Sequence, residues 1–161
     1  MKRIIPIALF FALMLSSCII GKSKVLEPLS AYPDNVSMRI PSGTLKVSSI
    51  FIPEVGSLMR GAKSVELFTC DDKESMPEIS EQLLDIVNSH GMELYVEVRD
   101  SDEIVDVYGL ASDKDGILKE AIVSVSDPEG CAIVFLKGKI DIASFINEVS
   151  TEKEGRQVNL N

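Results

Sequence analysis

From Met92 onward the side chains alternate: Met92, Leu94, Val96 and Val98 are apolar, while Glu93, Tyr95, Glu97 and Arg99 between them are polar or amphipathic. Successive residues of an extended chain point to opposite faces, so this period of two describes a strand with one buried and one wet side. Turn sequences then cut the chain at short intervals: Asp100-Ser101-Asp102-Glu103, Asp113-Lys114-Asp115-Gly116 and Asp127-Pro128-Glu129-Gly130. Between them stand Ile104 to Ala111, Ile117 to Ser126 and Cys131 to Ile140. Strands joined this closely pair with their neighbours, which predicts an antiparallel meander. The last two strands are apolar on both sides, with Ala121, Val123 and Val125 alternating with Leu118 and Ile122, and Ile133 and Phe135 alternating with Ala132, Val134 and Leu136. They belong in the middle of the sheet, covered on both faces or offered to a partner.

The residues around the meander supply its cover. Ser64 to Cys70, where Val65, Leu67 and Thr69 alternate with Glu66 and Phe68, predicts a first strand. Ser75-Met76-Pro77-Glu78 fits a capping box with a proline in the first turn. The helix that follows, Met76 to about His90, repeats Ile79, Leu83, Ile86, Val87 and His90 at three- and four-residue steps, and Gly91 is its C′ residue. Farther upstream, Ser42 caps a helix from Gly43 to Ile52 that Pro53 stops. Asp141 caps a closing helix whose Ile142, Phe145, Ile146 and Val149 face inward. The sum is an α+β domain over residues 40–149. Its mostly antiparallel sheet has about five strands, in β-α-β-β-β-β order after an N-terminal helix, and is packed by helices with a C-terminal helix at the end.

The two ends of the chain read differently. Lys2 and Arg3, an apolar run from Ile4 to Leu15, and Ser16-Ser17 before Cys18 have the order of a secretory signal peptide over residues 1–17. The run is shorter than the roughly 20 apolar residues that span a bilayer. Leu15-Ser16-Ser17-Cys18 resembles the lipobox of bacterial lipoproteins, which implies cleavage before Cys18, a thioether to diacylglycerol and an acylated (palmitate-type) amino group. Such chains anchor a protein by about 0.8 kcal/mol per buried methylene. Residues 19–24 contain no acid to retain or export the protein, so the expected site is the outer membrane facing the periplasm. Residues 18–39, with Pro28 and Pro33 and no sustained period, read as an acylated N-terminus and tether. Residues 150–161 read as a disordered polar tail.

Removing the signal leaves 144 of 161 residues, with 14 basic side chains against 25 acidic ones, a formal charge of −11. One core fits that length. The negative surface repels phosphate backbones, so nucleic acid is not an expected partner. The bilayer is one partner, through Cys18, and an envelope protein is the other.

No catalytic constellation stands out. His90 is the only histidine, and near a helix end it reads as a cap that complements the dipole. Zinc sites and histidine triads lack ligands, and no cofactor fingerprint is present. Asp113-Lys114-Asp115-Gly116 starts like a calcium loop, but the position of its bidentate glutamate is Ile122, so a hairpin turn explains it better. Asp71, Asp72, Glu74, Glu78 and Glu81 gather at a helix N-terminus, where carboxylates complement the dipole. Cys70 and Cys131 remain after processing. They come opposite if the first strand lies beside the last, and they form either a disulfide or two buried thiols. A thiol-redox role for Cys70 and Cys131 is the enzymatic alternative, although neither has a basic cluster to lower its pKa. A carrier of an apolar ligand is a third.

Ile40-Pro41-Ser42-Gly43, Ala62-Lys63-Ser64-Val65-Glu66-Leu67, Glu93-Leu94 with Val98-Arg99-Asp100, and Leu136-Lys137-Gly138-Lys139-Ile140-Asp141 resemble, over about Ile40 to Val149, a family of Bacteroidetes lipoproteins catalogued as domain of unknown function four-two-five-two. The resemblance implies an envelope location, no established catalytic residues and a role in envelope sensing. The expected protein is therefore a membrane-anchored periplasmic lipoprotein without enzymatic activity, a protein-interaction or envelope-sensing module that needs no cofactor or metal. Its expected interaction surface is the doubly apolar strand pair with the wet-face residues Tyr95 and Tyr108.

Overall fold

The computed structural model describes residues 24–41, 58, 61–152 and 157–160. The signal segment, Cys18 and the helix expected over Gly43–Ile52 lie outside the described residues. Within them the alternating segments form strands β1 (Asn35–Pro41), β2 (Ala62–Cys70), β3 (Glu93–Asp100), β4 (Glu103–Ala111), β5 (Ile117–Ser126), β6 (Cys131–Asp141) and β7 (Gln157–Leu160). Helix α1 (Met76–Ser89) follows β2, and α2 (Ile142–Glu152) follows β6. The sheet is ordered β1-β2-β6-β5-β4-β3-β7, antiparallel throughout.

The α+β class and the β3-to-β6 meander are as expected, but the sheet has seven strands where about five were predicted. The extra two lie at its edges, in segments read as tether and disordered tail. β1 zips onto β2 from Asn35 opposite Cys70 to Pro41 opposite Ser64. β7 pairs with β3, Val158 opposite Val98. A 3-10 helix, Glu27–Ala31, also lies in the predicted tether.

The sheet is covered on both faces. On the first face Ile79, Leu83, Ile86 and Val87 of α1, Leu29 of the 3-10 helix and the preceding Leu26 are buried against Phe68, Ile122, Ile133 and Phe135. On the second, Ile142 and Phe145 of α2 and Leu58 join Val65, Val107, Val123, Val134 and Leu136. The doubly apolar strands β5 and β6 are central, and Ile122, Val123, Val134, Phe135 and Leu136 are all buried. Their two apolar faces are used by the core, so they offer no docking surface.

Local signals explain the helix ends. Gly91 takes φ +63°, and Met92 N–H returns to the Val87 carbonyl at 3.0 Å, which closes α1 as a glycine C′ residue does. The His90 Nδ1–H donates to the Ile86 carbonyl at 2.9 Å, so His90 caps the helix end. At the other end the expected capping box does not form. Ser75 is itself helical and its side chain caps no backbone N–H. Instead Asp72 accepts from the Ser75 hydroxyl and the Glu74 N–H, and these bonds hold its carboxyl below its ordinary pKa. Asp141 caps α2 as predicted, with the Ser144 N–H on one oxygen at 3.0 Å and the Ser144 hydroxyl on the other at 2.8 Å.

Candidate functional site

Because α1 lies over the β2, β6 and β5 side of the first face, the outer part of that face, on β4 and β3, carries the polar half of the alternation. Glu97 and Arg99 of β3 and Asp106 and Tyr108 of β4 point the same way, since Glu97 pairs with Asp106 and Arg99 with Ile104. Ser124 of β5 sits opposite Asp106 on its other side. Between this part of the sheet and Leu83 and Leu84 of α1 runs a cleft of about 220 Å³, lined by Arg99, Asp106, Tyr108 and Ser124 among others. That is below the roughly 300–1,000 Å³ of clefts that enclose a drug-sized molecule, and it suits one long side chain. Leu84 stands on its rim with 48 % of its surface exposed.

The electrostatics of the cleft are unbalanced. Arg99 is paired with Glu97. Asp106 is half-buried, and its Oδ1 is enclosed with no hydrogen-bond partner among the described residues. Burial first, and then the charge of Glu97, push its carboxyl above the ordinary range, against the opposing pull of Arg99 and of the nearby Tyr108 hydroxyl. Burial and the same two carboxylates push the Tyr108 hydroxyl up to about 12. A buried acceptor without a donor costs on the order of 1–3 kcal/mol. An incoming N–H cation that reached Oδ1 would remove that cost and favour the ionised carboxylate.

The two tyrosines singled out from sequence are not brought together. Tyr108 lines the cleft and packs with the α1 cluster. Tyr95 packs instead with the α2 cluster, because the ladder slips between Leu94 and Val96 and turns Tyr95 to the other face. Tyr95 and Tyr108 therefore share no surface. Asp106 and Ser124 are cleft residues that sequence reasoning missed.

Cys70 and Cys131 are cross-strand partners at the β2–β6 end, as expected if the first strand lies beside the last. Both are free thiols. Burial first, then the neighbouring Cys70, push the Cys131 thiol up to about 11. A thiol at that value carries almost no thiolate near neutral pH.

Asp113-Lys114-Asp115-Gly116 forms the β4–β5 turn, with Gly116 at φ +73° and the Ile117 N–H on the Lys114 carbonyl at 3.2 Å. Among the described residues no group of three or more His, Cys, Asp or Glu side chains is placed to hold a metal ion, and no helix is long and apolar enough to cross a membrane.

Residues 32–147 match the model of a family described as Domain of unknown function (DUF4252). No curated protein and no solved structure matches the chain.

Proposed function

The chain belongs to the DUF4252 family, and on that footing we propose that it is a membrane-anchored periplasmic lipoprotein acting as a non-enzymatic protein-binding module. The lipid on Cys18 supplies the address, and the cleft between α1 and β3–β5 supplies the binding. One observation carries the second part: the enclosed Asp106 Oδ1, without a donor among the described residues, in a cleft sized for a side chain. The partner chemistry that fits is an arginine or lysine side chain presented by an envelope protein. Such a group would pair with Asp106 while its aliphatic stem lies along Leu83 and Leu84. The formal charge of −11 on the mature chain would steer a basic segment toward it. The Cys131 thiol, pushed up to about 11, is no ready nucleophile for a thiol-redox role, and the cleft volume gives an apolar-ligand carrier little room.

Photo-cross-linking from position 84, in the full-length protein in its own cells, tests the proposal. The expected result is a reproducible adduct with one envelope protein that Asp106→Asn weakens several-fold and free arginine competes away. An adduct indifferent to both, or none at normal protein levels, would remove the cleft from the account.

A further inference from the structure

The first face of β2 carries Glu66, Phe68 and Cys70, and all three hold the same stretch of chain. Glu66 is 2 % exposed. Its Oε2 accepts the backbone N–H groups of Lys24, Val25 and Leu26 at 3.0, 2.9 and 3.3 Å. Arg39 stands 3.8 Å from its other oxygen. Phe68 packs in one cluster with Leu26 and Leu29, and none of the three is exposed. Cys70 donates its S–H to the Pro33 carbonyl at 3.5 Å. A carboxylate buried this deeply persists because donors fill its oxygens, and here three of those donors belong to the chain upstream of β1.

We infer that Lys24–Pro33 is a strap of the folded domain and not a free tether, so that a lipid on Cys18 would hold the domain on a leash of six residues, with the cleft confined to the neighbourhood of the bilayer. The inference rests on the lipoprotein reading above. Six residues span at most about 20 Å however they run, whereas a tether reaching to Asn35 would allow roughly 60 Å. The strap packs on the same face of the sheet as α1 and the cleft, so the leash would start from the face that holds the cleft. A basic segment presented at the membrane surface is therefore within reach of the cleft.

Two measurements separate the strap from the lipid. Hydrogen exchange is read on the mature chain carrying Cys18→Ala and on the lipidated protein in phosphatidylethanolamine–phosphatidylglycerol vesicles. The amides of Lys24, Val25 and Leu26 should be protected in both, and Glu66→Ala should speed their exchange by roughly 100-fold while β5 and β6 stay protected. Exchange at unfolded-chain rates in the wild type would overturn the strap. In the same vesicles, energy transfer from a dye at position 84 to a headgroup acceptor should fall when about ten Gly/Ser residues are inserted after Gly21, a change that leaves the strap intact. Equal transfer with and without the insertion would overturn the short leash. Protein that never associates with vesicles would mark a failure of the lipid reading instead, and the exchange data would still decide the strap.

Discussion

Glu97 and Asp106 face each other across β3 and β4, two carboxylates at directly paired positions. Like charges so placed weaken a ladder, and burial raises the cost for Asp106. Asp106 binds its proton more tightly folded than unfolded. Its contribution is therefore most favourable below the unfolded pKa and is lost as pH rises through the higher folded value. Asp106→Asn should stabilise the domain by about 1 kcal/mol at neutral pH, with the gain shrinking in acid. Urea unfolding at pH 7 and pH 4 measures this. A variant more stable than wild type that also loses its cross-linked partner would show a residue kept for binding at the expense of stability.

Cys131 gives a second pH signature. Its thiol is pushed up to about 11 from an ordinary 9, so the unfolded chain releases this proton first as pH rises. Stability should decline between about pH 9 and pH 11, and Cys131→Ala should flatten that decline. In native protein at pH 8, alkylation of both cysteines should be slow and should accelerate by orders of magnitude in denaturant.

Gly61 is held by contact and not by conformation. The Lys139 N–H donates to its carbonyl at 3.0 Å, and a Cβ on Gly61 would come within 1.6 Å of the Lys139 carbonyl oxygen. Gly61→Ala must push β6 away from the start of β2. A cost of about 1–3 kcal/mol follows, visible in a thermal melt as a midpoint lowered by roughly 5–10 °C.

Phe68 joins strap, sheet and α1. It is fully buried beside Leu26, Leu29 and Phe135, and Phe68→Ala should destabilise by about 3–5 kcal/mol. Since single domains have about 5–15 kcal/mol in total, far-ultraviolet dichroism at 37 °C should show partial unfolding.

The meander was legible because period two, turn residues and short spacing agree from Met92 to Ile140. Gly91 and Asp141 marked helix ends by chemistry that depends only on neighbouring residues. β1 has its own alternation, Val36, Met38 and Ile40 against Asn35, Ser37 and Arg39, but Pro33 and Pro41 bracket it. It also lies at the sheet edge, where Val36 stays 52 % exposed and apolar pressure is weak. β7 is four residues long and draws its pairing from β3. Tyr95 was misplaced because a slipped ladder breaks strict alternation without leaving a mark in composition. Asp106 looked like any wet-face residue. What sets it apart is the position of α1 across the sheet, a tertiary fact that no local pattern carries. Glu66 had the same disguise: an acid in an alternating strand became the anchor for backbone forty residues upstream.

Both the binding proposal and the short leash start from lipid on Cys18, and the mass of the N-terminal peptide of the mature protein tests it most directly. The account predicts a peptide beginning at Cys18 and carrying diacylglycerol with an acylated amino group. An unmodified Cys18, or a chain still beginning at Met1, would contradict it.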